Sequence, residues 1–84
     1  MLTVHVRYFA SLREALGPQE SVQLPEGSTV GALREQLCAL GGRHAEVLAA
    51  GRPVRAALAQ SVCTDSMVLT DGVEVAFFPP VTGG

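Results

Sequence analysis

Residues 69–84 read Leu-Thr-Asp-Gly-Val-Glu-Val-Ala-Phe-Phe-Pro-Pro-Val-Thr-Gly-Gly, and the character of the chain changes inside that stretch. Asp71-Gly72 is a turn signal. Beyond it Val73, Val75 and Phe77 alternate with Glu74, Ala76 and Phe78, the two-residue period of a strand with one buried face. Pro79 and Pro80 lack the amide hydrogen that a sheet ladder needs, so the strand ends at Phe78. From Pro79 onward the chain leaves the sheet.

The opening of the chain mirrors this strand. Leu2, Val4, Val6 and Tyr8 share one parity, and Thr3, His5, Arg7 and Phe9 share the other. Phe9 therefore falls with the polar set, out of phase with its strand. Leu12, Ala15 and Leu16 change to helical spacing, and Gly17-Pro18 stops that helix within two turns. Glu20 to Leu24 reads as a second strand with Val22 and Leu24 on one face, before a turn at Pro25-Glu26-Gly27. Ser28 or Thr29 can cap the main helix, whose Val30, Leu33, Leu37 and Leu40 form one apolar stripe ended by Gly41-Gly42. His44 to Ala50 continues as an irregular turn or a short helix. Gly51-Arg52-Pro53 is a turn, and Val54 to Cys63 holds at least one strand, although Ala56, Ala57 and Ala59 blur its buried face.

This order, strand, short helix, strand, long helix and then further strands, is an α+β pattern without repeat or linker. The last strand follows too much chain to be a hairpin partner of the first, which leaves the two terminal strands to lie parallel in the sheet centre. The expectation is a β-grasp: a mixed sheet packed on one main helix over residues 1–78, with residues 79–84 as an extended tail.

Composition narrows the function. The 84 residues (8.8 kDa) are 48% hydrophobic and 17% charged, a globular balance, and such a chain buries roughly two-thirds of its unfolded surface. All 6 basic residues are Arg, against 8 acidic ones, for a net charge of −2. No basic block exists to neutralise phosphates, so nucleic acid is not the expected partner. Without Lys there is no side-chain amine for a Schiff base, a phosphate loop or isopeptide attachment. Arg7, Arg13 and Glu14 interrupt any membrane span or secretory signal, so a soluble cytoplasmic protein is expected. Cys38 and Cys63 lack the spacing of a metal or redox pair and read as small hydrophobes, and no metal site is expected. Ser11, Ser61, Ser66, His5 and His44 make no nucleophile–base pattern.

The tail says more. Pro79-Pro80 favours an extended path of about 3.1 Å per residue, so the terminal carboxylate can stand roughly 15 to 20 Å from the core. Gly83 and Gly84 have no Cβ and can thread a slot too narrow for other residues. Phe78, opposite Val75 and Phe77, and Phe9, out of phase in its own strand, can meet on an open sheet face near the root of the tail. Such an apolar patch marks an interface.

The segment LTDGVEVAFFPPVTGG resembles the C-terminal signature of the small subunits of molybdopterin synthase, which are ubiquitin-like sulfur carriers, and VRYFASLREALG resembles that family's first strand and helix. The resemblance spans nearly the whole chain. In the middle strand Ala59-Gln60 stands where the family often has Asn-Gln. The resemblance implies that the Gly84 carboxylate is adenylated by a ubiquitin-activating-like enzyme that consumes ATP, and that a sulfur donor protein then converts it to a thiocarboxylate. Pro79, Pro80, Val81, Thr82 and Gly83 would carry that group into the large subunit of a heterotetrameric synthase, where sulfur passes to a cyclic pyranopterin phosphate to build the dithiolene of the molybdenum cofactor. It further implies that Phe9, Phe78 and a middle-strand aliphatic, Val62, face the partner, and that the small subunit binds no cofactor and supplies no catalytic side chain. Three other readings stand beside it: the shorter thiazole-forming carrier, against which the Phe-Phe-Pro-Pro-Val-Thr string argues; a protein modifier joined to target lysines through Gly84; and an interaction module with an incidental Gly-Gly.

Overall fold

Alternation is most regular in β1 (Leu2–Tyr8), where Leu2, Val4, Val6 and Tyr8 are buried and His5 and Arg7 are exposed. The computed structural model describes residues 1–49, 51–59 and 61–80. Next come α1 (Ser11–Leu16) and β2 (Gln19–Leu24), which pairs antiparallel with β1 so that Leu2 faces Leu24 and Val4 faces Val22. α2 (Val30–Ala39) and α3 (Gly42–Leu48) lead to β3 (Arg55–Leu58), β4 (Ser61–Cys63) and β5 (Glu74–Phe78). The sheet order is β2-β1-β5-β3-β4, with β1 and β5 parallel and every other pair antiparallel. The terminal strands are thus central neighbours, an arrangement for which the intervening chain leaves room.

The helices cover one face. Val30, Leu33 and Leu37 of α2, Leu12 of α1 and Leu48 of α3 pack with Val4, Val6, Tyr8, Val75 and Phe77 in one cluster. At about 1.5–3 kcal/mol for each Leu, Val or Phe taken from water, that cluster is the main stabilising term. Thr29 caps α2, its Oγ1 accepting from Ala32 N at 3.2 Å. The N–H groups of Val30 and Gly31 donate to the carbonyls of Met67 and Asp65, and that of Leu33 to Thr29. Each donor of the first turn therefore has a partner, and two of them tie the helix to the loop before β5. A Cβ on Gly31 would lie 3.2 Å from both Cβ and O of Asp65, so the close crossing of loop over helix depends on the missing side chain. On the other side of the loop Thr3 N donates to Asp71 Oδ1 at 2.8 Å and Gly72 N donates to Thr3 O at 2.8 Å. These bonds set the register of β5 on β1, and with it the point where the chain leaves the sheet.

One expectation is corrected by the backbone. Leu40 does not extend the α2 stripe: the helix ends at Ala39, and Leu40 is 62% exposed. Its N–H turns back to Leu37 O, and Gly41 at φ 77° redirects the chain before the stripe can continue. Of the two readings for His44 to Ala50 the short helix holds, as α3, although it starts earlier, at Gly42. Its far end is held by Arg34 of α2, which donates to the carbonyls of Leu48, Ala49 and Arg52 at 2.6, 2.6 and 3.0 Å.

The region from Val54 to Cys63 resolves into two strands in which Leu58 faces Ser61, and the chain turns at Ala59. Ala59 belongs to that turn rather than to a middle strand, and its φ is 50°; Gln60 lies outside the described residues. Left-handed backbone costs a Cβ-bearing residue about 1 kcal/mol relative to Gly. Ala59→Gly is therefore expected to stabilise the fold by ~0.5–1 kcal/mol, read as a higher urea midpoint with unchanged slope. A lower midpoint would contradict the strain.

Candidate functional site

Opposite the helices the sheet has an open face, and the strand registers arrange its side chains in rows. Arg7 on β1 stands beside Ala76 on β5, Ala76 opposite Ala57 on β3, and Ala57 opposite Val62 on β4. The row nearer the end of β5 has Phe78 opposite Arg55. Phe9, just past β1, bonds through its N–H to Phe77 O, and the Arg7 guanidinium lies 5.6 Å from the centroid of its ring. The ring of Phe9 is thus on the Arg7 side of the sheet. In the row farther from the tail, His5 stands beside Glu74, and His5 Nδ1 is 3.1 Å from Ser21 Oγ.

Apolar surface on this face is exposed in patches. Val62 is 66% exposed and Phe9 40%, while Phe78 is half-buried. Val62 sits on β4, the edge strand, not on a middle strand. The three residues do share the open face, at its β4 side, beyond β1 and on central β5 respectively. Ala57 and Ala76, both small, form the floor between Val62 and the aromatics. Pro79 and Pro80 follow β5 half-buried, Pro79 lining a shallow groove with Leu12, Val47 and Val54. Val81, Thr82, Gly83 and Gly84 lie outside the described residues.

The polar neighbours of the patch had no sequence signal. Arg7 reaches Glu74 at 3.9 Å with both side chains about half exposed, so this pair contributes little to stability. Arg55 is exposed beside Phe78. Periodicity marks Arg7 only as solvated, and the alanines of β3 conceal which residue faces Phe78.

On the helix side, Glu20 Oε2 accepts from the Tyr8 hydroxyl at 2.7 Å and lies 2.7 Å from His44 Nε2. This joins β1, β2 and α3 through one carboxylate oxygen. Burial foremost, then the hydrogen bond to Glu20 and its negative charge, push the Tyr8 phenol well above its ordinary range. A raised folded-state pKa means that, above pH ~10, the unfolded chain loses a proton that the folded chain keeps, so stability falls there with rising pH. Tyr8 is the chain's one tyrosine, so phenolate absorbance reports it alone. It is expected to stay protonated at pH ~10 until the fold melts; ionisation without unfolding near its ordinary value would contradict this.

His5 and His44 are thus occupied by Ser21 and Glu20, and Ser66 Oγ lies 2.9 Å from Thr64 Oγ1. Cys38 and Cys63 are free and half-buried, and burial, then Asp65, pushes the Cys63 thiol up, away from the reactive thiolate. Among the described residues no group of His, Cys, Asp and Glu is arranged to hold a metal, and no helix is long and apolar enough to cross a membrane. The chemistry of the open face is that of contact: an aromatic patch, flanked by guanidinium groups, at the root of a Pro-Pro segment.

Known proteins share this architecture. Residues 6–84 match the ThiS family. The chain is 42% identical over 81 residues to the molybdopterin synthase sulfur carrier subunit of Escherichia coli K12, covering 96% of this chain and 99% of that one. A putative molybdopterin converting factor subunit 1 from Pyrococcus furiosus superposes with a TM-score of 0.81 at 30% identity, over 96% of this chain and 100% of that one. The fold is also that of a chain in the complex of subunits 1 and 2 of the Helicobacter pylori molybdopterin-converting factor, with a TM-score of 0.70 at 23% identity, over 99% of this chain and 100% of that one. The chain therefore belongs to the ThiS family, and within it to the ubiquitin-like sulfur carriers that form the small subunits of molybdopterin synthase.

Proposed function

We propose that the working group of this protein is the α-carboxylate of Gly84 and that the folded part is its handle. A free α-carboxyl has a pKa near 3.5, so the group is an anion at neutral pH. Its oxygen attacks the α-phosphorus of ATP in the active site of an adenylating enzyme, and pyrophosphate leaves. A sulfur donor protein then supplies sulfide-level sulfur, which attacks the acyl carbon and displaces AMP, leaving a thiocarboxylate on Gly84. The domain over residues 1–78 docks on the large synthase subunit through Phe9, Val62 and Phe78. Pro79, Pro80, Val81, Thr82 and Gly83 extend the thiocarboxylate into that subunit's active site, where its sulfur passes to a cyclic pyranopterin phosphate. Two carriers in turn complete the dithiolene, in a heterotetramer of two small and two large subunits in the cytoplasm.

The observation that carries this reading is the place of the Pro-Pro segment. It begins directly after Phe78, whose ring stands on the open face, at the end of central β5, with Pro79 turned toward Leu12, Val47 and Val54. The identity to the Escherichia coli sulfur carrier subunit supports it, as does the complex of subunits 1 and 2 from Helicobacter pylori. The test is the intact mass of the protein after incubation with ATP, magnesium, a sulfur donor and the adenylating enzyme from the same cell. The expected result is exchange of one oxygen for sulfur, localised to Gly84. Attachment to lysines of other proteins instead would favour a modifier, and an unchanged mass an interaction module.

A further inference from the structure

We propose that Arg55 and Arg7 are specificity residues of the docking face, and that the large synthase subunit meets them with carboxylates around the pocket that receives Phe78. This rests on the docking reading under Proposed function and names the chemistry of the partner's rim.

Charge is unevenly placed on the molecule. The chain as a whole carries a net charge of −2, yet the two rows of the open face nearest the tail hold Arg7 and Arg55 and no acidic residue on β1, β5, β3 or β4. The acidic Glu74 lies one row farther away. Arg55 is the direct cross-strand neighbour of Phe78, which places their Cβ atoms about 5 Å apart. Arg7 is the diagonal neighbour on the other side and lies over Phe9.

A partner that covers Phe78 must also take water from these guanidinium groups. Among the described residues the Arg55 guanidinium has no hydrogen-bond or ion-pair partner, and that of Arg7 has, besides the Phe9 ring, only the long contact of 3.9 Å to Glu74. A desolvated charge without a counter-charge is costly, and a guanidinium is best satisfied by a carboxylate that accepts two parallel hydrogen bonds. The patch therefore selects an apolar socket with an acidic rim. An apolar socket with a basic rim would be repelled, which separates partners of one fold by charge as well as by shape.

The test measures binding of the purified large subunit from the same cell to the wild-type chain, to Arg55→Glu, to the double variant Arg7→Gln/Arg55→Gln and to Phe78→Ala, each at low and at high salt. Both arginines are exposed, and thermal melts would verify that each variant folds. Arg55→Glu is expected to weaken binding at least about tenfold at low salt, and the double variant to flatten the salt dependence. If Phe78→Ala weakens binding while the arginine variants and the salt series leave it unchanged, the acidic rim is wrong and the docking face stands. If Phe78→Ala leaves binding unchanged as well, the docking face itself is wrong.

Discussion

A chain carrying one alanine beyond Gly84 is expected to accumulate no thiocarboxylate at all and to support no sulfur transfer, while melting at the temperature of the native chain. The added peptide bond converts the terminal carboxylate to an amide, which is neutral and holds its oxygen in resonance with nitrogen. No anion is left at Gly84 to attack the α-phosphorus of ATP, and the new terminal carboxylate belongs to a residue with a Cβ. That methyl group would have to enter a passage suited to glycine. The effect should be all-or-none in intact mass, because the reaction changes the covalent structure of one atom in the molecule. Adding the residue touches none of the buried cluster over β1, β5, α2 and α3, so stability is an internal control. Thiocarboxylate formation on the extended chain at the native rate would place the chemistry elsewhere and remove the basis for the tail's role.

The parts of the fold legible in the sequence are those where one physical signal dominates. β1 and β5 alternate without interruption, α2 has a stripe at helical spacing with a capping threonine, and Pro79-Pro80 can only end a strand. Where signals compete, legibility fails. Ala56 and Ala57 are both buried for different reasons, Ala56 under the helices and Ala57 among side chains of the open face, so hydropathy could not tell the sides of β3 apart. β4 has three residues, too few for a period. Leu40 fits the α2 stripe by spacing and misses it because the backbone turns at Gly41. The candidate site divides in the same way. Phe9 and Phe78 announce themselves by being out of phase with their strands, which needs only local sequence. Arg55 becomes visible only through its pairing with Phe78, a non-local register that no single segment encodes.

That register makes the adjacent pair Phe77 and Phe78 a decisive comparison. Phe77 is 1% exposed, its ring stacks with Tyr8 at a centroid distance of 6.4 Å, and it faces Ala56 across β3. Alanine has no volume to give up or to extend, and Tyr8 is held in place by its bond to Glu20, so the space left by Phe77→Ala would not collapse. Removing a buried phenylalanine in such a setting costs about 3–5 kcal/mol. A chain of this length has a total stability of roughly 4–13 kcal/mol. Phe77→Ala should therefore lower the melting temperature by about 15 °C or more, and leave a substantial unfolded fraction at about 37 °C if the wild type is near the lower bound. Phe78→Ala, one residue away, opens no cavity because its side chain lies on the face without helices. It should cost about 1 kcal/mol or less while weakening capture of the large subunit. Far-UV circular dichroism melts of the two variants, read beside their binding, separate core from interface. Equal melting temperatures would mean that the strand does not present these rings to opposite faces, and the docking face built on that parity would fall with it.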